Sequence, residues 1–362
     1  MKKILFAMHM PPPYHGASMV GQRLHEHKEL NKIFQCEYVN ISLATSLNDI
    51  GGAGFSKLQK YVHLLYKISK QTKKFKPDLC YITPNAAGKQ FFLNLLMIIC
   101  AMRDGTKIVL HYHNKGVEKY QQKWLYNICY KFLFRRVHVI LLSERLYYDV
   151  EKYIKKDMVF YSLMGIPNKP LQAVRKSTPA VFSFISNLIP SKGIYELLDA
   201  CEILKKEGNE FCCEIAGGET KEISSDKLDE EIKKRGLKGI CTYHGRVSEE
   251  EKEKLLLHSH CFVFPTYYKN ECFPAAILEA MRAGVAVIST YEGAIPDEVQ
   301  PNVNGFLVQQ RNVSDLANAM RLYIKDPNLA QNHGKNGRVL FEEKFTEEVF
   351  MDRMLSIFKE LA

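Results

Sequence analysis

The sequence predicts an α/β protein of two domains, each a parallel β-sheet covered by helices. Three observations predict it. Short β-rich runs alternate with helix-patterned segments along the whole chain, the arrangement that lays parallel strands beneath crossover helices. The 362 residues exceed a usual single domain and suffice for two cores. At mid-chain the alternation is broken by Gly165-Ile166-Pro167-Asn168-Lys169-Pro170, continuing through Lys176-Ser177-Thr178-Pro179. This Pro-punctuated polar stretch has no periodicity, so the domain boundary is expected there, with a hinge near residues 165–179.

In the first half, strands are expected at Lys3–Met8, Cys36–Ile41, Asp78–Ile82, Lys107–His111, Val137–Leu142 and Met158–Phe160. Pro11-Pro12-Pro13 follows the first of them where a signal peptide would carry a small-residue cleavage site, so Met1–Met8 reads as a strand and not as a leader. A helix-like segment runs from Met19 to Leu30. The most apolar run, Phe91 to Met102, contains Asn94 and falls well short of the roughly 20 residues that a membrane-spanning helix needs; it reads as a buried helix. In the second half, strands are expected at Ala180–Ile185, Cys212–Ala216, Ile240–Tyr243, Cys261–Phe264 and Val285–Ser289, and a helix over Ile194–Glu207. Pro274 suits a first helical turn and Gly284 the position just past an end, which brackets a nearly all-apolar helix carrying Glu279.

Composition is that of a globular protein, 46% hydrophobic and 25% charged, without low-complexity tracts or repeats. The net charge of +10 hides an asymmetry: residues 1–170 hold 26 Lys+Arg against 11 Asp+Glu, and the remainder 24 against 29. Lysines 57, 60, 67, 70, 73, 74 and 76 interleave with Tyr61, Leu64, Leu65, Tyr66 and Ile68 at helical spacing, and Arg135-Arg136 adds to them. Such a helix is either a core helix with a solvated back or a surface for an anionic membrane or an acidic acceptor; nucleic acid is the less supported partner and none is expected. The ten cysteines are scattered, with no C-x-x-C pair and no ligand-like histidine spacing, so a reduced, cytoplasmic, metal-free protein is the simplest reading.

In open parallel sheets ligands bind at the carboxyl ends of the strands. Five polar constellations follow predicted strand ends: Gly16, His111 with His113, Ser186-Asn187, Gly217-Gly218, and Glu271. Gly16 precedes a helix start, where backbone amides can meet a diphosphate; a Pro-rich turn with a glycine is equally an ordinary connection. Neither a Walker-type phosphate loop nor G-x-G-x-x-G is present there, which disfavours ATPases and dinucleotide oxidoreductases. Lys192-Gly193 opens a helix, where the lysine either shares an anion with helix amides or is a solvated cation that the macrodipole disfavours. His113 either positions a sugar hydroxyl or is a satisfied strand-end histidine. Glu279 reads as a carboxylate in a core layer, which is costly unless paired, so it meets an internal cation or a ligand, unless it lies at the helix edge in water.

The order of these parts resembles the retaining nucleotide-sugar glycosyltransferases of the GT-B fold, specifically the large family 4 group, also called glycosyl transferases group 1. The second half carries the specific blocks: F-I-S-N-L-I-P-S-K-G-I-Y-E-L-L-D-A, I-A-G-G, Y-H-G-R-V-S-E-E-E-K, the E-x7-E pair Glu271 and Glu279, and Glu292-Gly293-Ala294-Ile295-Pro296-Asp297-Glu298 with Asn304-Gly305-Phe306-Leu307-Val308. The first half matches more loosely through P-P-x-x-H-G-A, where the family often has a second glycine at Ala17, and through His113.

The resemblance implies two Rossmann-like domains whose parallel sheets face a central cleft: residues 1–170 for the acceptor and 171–345 for the donor, with a helix over 346–362 returning to the first domain. It implies Glu271 at the donor sugar, Glu279 at the nucleotide ribose, Lys192 on the diphosphate, Gly16 admitting phosphates to the backbone and His113 at the transferred sugar. Ala17, Gly217, Phe273, Pro274 and Ala275 join the donor-binding set. Asn187 stands where the family commonly has arginine, removing one cation, with Arg246 as a possible substitute. No D-x-D occurs, in keeping with a metal-independent site without cofactor. The expected activity is transfer of a hexose or N-acetylhexosamine, UDP-sugar favoured, to a glycan or lipid-linked glycan in bacterial surface polysaccharide synthesis. Such an enzyme would work in the cytoplasm or peripherally on the inner membrane face. The rivals are a catalytically silent sugar-nucleotide or glycan-binding subunit and a basic membrane-surface or nucleic-acid adaptor.

Overall fold

A computed structural model describes residues 1–12, 16–42, 55–103, 105–169 and 179–362. Pro13, Tyr14 and His15 of the glycine loop, the side chain of Lys57, and the linker residues Pro170 and 176–178 lie outside the described residues. The chain divides into two compact units, Met1–Leu163 with Met351–Ala362, and Met164–Phe350.

The first unit is built on β1 (Lys3–Met8), β2 (Gln35–Asn40), β3 (Leu79–Ile82), β4 (Lys107–Tyr112), β5 (His138–Leu141) and β6 (Val159–Tyr161), with helices α1 (Gly16–Glu26), α2 (Lys28–Ile33), α3 (Phe55–Phe75), α4 (Gly88–Ala101), α5 (Val117–Tyr120) and α6 (Trp124–Phe134). The strands pair in parallel in the order β2-β1-β3-β4-β5-β6. Helices cover both sheet faces, so the central strands are apolar on consecutive positions instead of alternating; Ile4 to Met8 and Leu79 to Ile82 are all buried. The single helix expected over Met19–Leu30 is two. The break falls at His27, whose extended backbone (φ −72°, ψ 109°) leaves its ring Nδ1 to accept from the Leu30 amide, capping α2.

The second unit contains β7 (Ala180–Ile185), β8 (Phe211–Ala216), β9 (Cys241–Tyr243), β10 (Cys261–Phe264), β11 (Ala286–Thr290) and β12 (Gly305–Val308), with α7 (Ile194–Lys206), α8 (Ser225–Lys234), α9 (Glu249–His258), α10 (Ala275–Arg282), α11 (Ile295–Glu298), α12 (Val313–Lys325) and α13 (Pro327–Lys344). Its strands are again all parallel, in the order β12-β11-β10-β7-β8-β9. The chain runs outward from β7 to β9, then returns to place β10 on the other side of β7. That reversal is a topological switch point, where the connections after β7 and β10 diverge to opposite faces and leave a crevice at the strand ends. The first unit has its own switch point between β1 and β3.

Residues Ile166 and Thr346, near the two ends of the second unit, form a parallel bridge. Gly165 permits it, because a side-chain carbon there would overlap the Thr346 carbonyl oxygen. Helix α14 (Glu347–Leu361) follows, and its residues from Met351 onward belong to the first unit. There Phe358 stacks edge-on against Phe6 of β1 and Tyr81 of β3, both at 5.5 Å between ring centroids.

The basic helix α3 buries Tyr61, Leu64 and Ile68. Tyr66, expected on the same apolar face, instead joins Leu58 and Val62 in an exposed stripe at four-residue spacing, because the burial face of α3 is narrower than its apolar composition. The run expected to be wholly buried, now α4, leaves Leu96 and Ile99 exposed. On α6, Trp124 is 73% and Ile128 55% exposed, with Lys123, Lys131, Arg135 and Arg136 exposed around them. Among the described residues no helix is long and apolar enough to cross a membrane.

Candidate active site

The switch point of the second unit gathers the densest set of candidate residues. Lys192 closes a short 3-10 turn, Pro190–Lys192, after β7. Its Nζ donates to Glu271 Oε2, and the ammonium lies 4.7 Å from the Tyr268 ring centroid and 5.3 Å from that of Phe264. Both side chains are largely out of solvent, 15% and 11% exposed, so this is a desolvated ion pair with aromatic walls. Gly193 makes the approach possible: its φ is +90°, and a side-chain carbon would overlap the Pro265 carbonyl oxygen. The loops after β7 and β10 are joined further by the Tyr267 amide donating to the Ser191 carbonyl at 2.8 Å.

Beside the pair two helices present amino-terminal ends without side-chain caps: α7, preceded by Gly193, and α10, preceded by Pro274. Uncapped first-turn amides carry the positive end of the helix dipole and are a ready anion site. Pro274 takes the position before the first helical residue of α10, with Ala275 opening it. Phe273 is buried, its ring 6.0 Å from that of Phe345.

A third carboxylate adjoins Glu271 that sequence reasoning did not single out. Glu298 ends α11, is fully buried, and neither carboxylate oxygen has a hydrogen-bond partner. Burial, then repulsion from Glu271 and Asp297, pushes its carboxyl well above the usual range. The available signal was a glutamate in the otherwise apolar neighbourhood Ala294-Ile295 and Val299. The loop bearing it is fitted to Glu271 by Gly293, whose φ is +57° and where a side-chain carbon would crowd the Glu271 and Cys272 carbonyls.

Glu279 lies within α10, its side chain 18% exposed. Its Oε1 accepts from Lys252 Nζ of α9 at 2.8 Å, and the same ammonium reaches Glu249 at 2.8 Å. Burial raises its carboxyl above the usual range and Lys252 opposes the rise. Of the two partners open to it in sequence, the internal cation is therefore present.

Gly217 and Asn187 meet at the adjoining ends of β8 and β7. Gly217 (φ +150°) could carry no side chain, since a carbon there would overlap the Ser186 carbonyl oxygen, and Asn187 Oδ1 accepts from the Gly218 amide at 3.3 Å. Asn187 thus braces the two loops and contributes no charge. Arg246 is exposed after β9 and lines a cavity of about 540 Å³ with Glu214, His244, Val247 and Glu251. It stands at the third strand end from Lys192's loop.

Gly16, Ala17 and His113 belong to the first unit. Gly16 opens α1, and a side-chain carbon there would meet open space. The close approach in this helix is made by Gly21, where a side-chain carbon would overlap the His9 carbonyl oxygen. His113 follows β4 and its ring packs against that of His111, tilted by 41° with centroids 4.2 Å apart. His111 is fully buried and bonded through Nδ1 to Tyr81 at 2.7 Å; burial, then His113, holds its imidazole well below the usual range. The loop bearing His113 is fixed on both sides, by Asn114 Oδ1 accepting from the Ala86 amide at 2.7 Å and by Asp149 accepting from the amides of Gly116, Val117 and Glu118.

Two parallel-sheet units of this topology define the GT-B architecture of glycosyltransferases. Residues 167–340 match the family described as glycosyl transferases group 1. A putative colanic acid biosynthesis glycosyltransferase WcaL of Escherichia coli is 24% identical over 265 residues, 70% of this chain and 64% of its own length. O-antigen chain mannosyltransferase C of Escherichia coli is 24% identical over 306 residues, covering 82% of this chain and 79% of that protein. Among solved structures, Anabaena HepE in complex with UDP and glucose superposes with a TM-score of 0.72 at 16% identity, over 99% of this chain and 100% of that one, a likeness of fold. The family match and the fold support a glycosyltransferase.

Proposed function

We propose that the chain is a retaining glycosyltransferase that moves a hexose or N-acetylhexosamine from a nucleotide-sugar, UDP-sugar favoured, to a glycan or lipid-linked glycan. The observation that carries the proposal is the Lys192–Glu271 pair set between two uncapped helix ends at the switch point of the second unit. Breaking the anomeric C–O bond leaves negative charge on a nucleoside diphosphate, so the chief catalytic demand is fixed positive potential in a dry site. Lys192 supplies a full charge and the amides of α10 and α7 partial ones, which is the work a metal does in other transferases; no metal or cofactor enters the proposal. Donor binding draws the Lys192 ammonium from Glu271 toward the diphosphate, and frees Glu271 to accept from the hydroxyls of the sugar. Glu279 accepts from the ribose hydroxyls in company with Lys252, and His113 touches the transferred sugar. The names of the similar proteins, colanic acid and O-antigen transferases, favour a surface polysaccharide as the product, and HepE with bound UDP favours a uridine donor.

Released nucleotide, measured across UDP-, GDP- and ADP-sugars with a glycan-lipid extract as acceptor, tests the proposal. Lys192→Ala is expected to lower turnover by about 100-fold or more, the usual loss when a preorganised electrostatic contact is removed, and Glu279→Gln to raise KM for the donor with little change in kcat. Wild-type turnover by both variants would remove the assignment. Asn187, which spends its carboxamide on Gly218 and brings no cation, favours one rival, a silent nucleotide-sugar-binding subunit; such a protein raises its own melting temperature with donor yet never discharges the nucleotide.

The acceptor side of the proposal is docking of the first unit on an anionic membrane surface, on the cytoplasmic side. Exposed Trp124, Leu125, Ile128 and Phe132 on α6, flanked by Lys123, Lys131 and Arg135, support it. Apolar side chains at that density with cations beside them match the interfacial layer of an anionic bilayer, where each cation near the surface contributes about 1 kcal/mol.

A further inference from the structure

Ten cysteines are present, and three of them from distant parts of the second unit converge. Cys201 lies on the inner face of α7, Cys213 in β8 and Cys241 at the start of β9; all are buried. Cys213 and Cys241 are register partners across the parallel pair, so their side chains emerge on the same face of the sheet, beneath Cys201. The three Sγ atoms lie within 4.8 Å of one another, and no histidine or carboxylate shares the cluster among the described residues. We propose that this cluster is a binding site for a soft, thiophilic d10 cation held by three thiolates.

The dimensions fit. A metal with sulfur bonds of about 2.3 Å at the centre of a planar three-sulfur set holds those sulfurs about 4.0 Å apart, so small side-chain movements close the site. The donor set selects the ion: sulfur alone favours soft cations, and a buried three-ligand site lacks the fourth group of a structural tetrahedral zinc centre. Binding exchanges the thiol protons of Cys201, Cys213 and Cys241 for the ion and releases them to solvent, leaving three thiolates as ligands.

Such an ion would fasten β9, an edge strand of three residues, to β8 and α7. The next residues after β9 and β8 are the loops in which the Gly217 amide donates to the Gly245 carbonyl at 2.8 Å, with Arg246 beyond. The ion is structural and takes no part in the proposed transfer.

The test is titration of the full-length protein with Cd(II) under reducing conditions, and with Cu(I) in a second series, after the half-buried Cys36, Cys100, Cys129 and Cys212 have been alkylated in the folded state. One ion per chain is expected, with thiolate-to-metal charge-transfer absorption, a rise in melting temperature, and three sulfurs in the first shell by X-ray absorption. Cys213→Ala is expected to weaken binding at least tenfold, and Cys261→Ala, a buried cysteine outside the cluster, to leave it unchanged. No uptake by the alkylated wild type, a first shell of two sulfurs or of mixed nitrogen and oxygen, or undiminished uptake by Cys213→Ala would each overturn the proposal; the first two readings do not depend on any variant folding.

Discussion

At Glu298 the chain buries a carboxyl with no hydrogen-bond partner on either oxygen, beside the carboxylate that Lys192 neutralises. Because burial raises its folded pKa above the unfolded value of about 4.3, the folded state holds a proton that the unfolded state has lost. Stability is then full below the unfolded pKa and falls as pH rises from there toward the folded pKa. Glu298→Gln keeps the shape and removes the titration. Equilibrium unfolding from pH 4 to 8 is expected to show wild type losing up to about 1.4 kcal/mol per pH unit relative to the variant, with the two coinciding at the acid end. Parallel curves at all pH values would mean that Glu298 is ionised in the folded protein. Glu279 teaches the complementary lesson: eight residues from Glu271 on an apolar helix, it looked walled by neutral groups, and its counter-ion arrives from α9, far from α10 in sequence, through Lys252.

Among the elements, the turns around the crevice carry the constraint. Gly193, Gly217 and Gly293 each combine a positive φ with a carbonyl where a side-chain carbon would stand, so each joins two strand-end loops at a distance only hydrogen allows. Gly193→Ala is expected to cost about 1–3 kcal/mol from backbone conformation alone, more from the overlap with Pro265, and to lower donor affinity by displacing Lys192. Gly208→Ala, at a φ of +80° but with open space around it, carries the conformational part only, so denaturant unfolding of the two isolates the packing part. Strand positions were legible to within one or two residues because both sheets are covered on both faces and their strands read as apolar runs. The helix break at His27 was not legible, since the residues on either side of it are good helix formers and the break is a capping bond.

For the molecule as a whole, charge is divided along the chain, with the excess of Lys+Arg in residues 1–170 and exposed apolar side chains on α3, α4 and α6. If α6 docks on a bilayer, the protein sediments with vesicles rich in anionic lipid, binding falls as salt is raised because screening shortens the reach of each charge, and Trp124→Glu with Ile128→Glu lowers the bound fraction several-fold without changing the melting temperature. Equal binding to zwitterionic vesicles, or no loss in the double variant, counts against docking through α6.

The sequence by itself determined the α/β class, the alternation of strands and helices, and the positions of Lys192, Gly193 and Glu271 at strand ends and helix starts and of Glu279 within an apolar helix, because these are properties of local pattern and spacing. Tertiary structure alone decided which of those groups face one another. The reversal of strand order between β7 and β10 brings Lys192 onto Glu271 with Glu298 behind it, the packing of α9 beside α10 supplies Lys252 to Glu279, and the outward run from β7 to β9 gathers Cys201, Cys213 and Cys241. Parallel strands need long crossovers, so residues that touch across neighbouring strand ends lie tens of residues apart in sequence, beyond the range of any local periodicity.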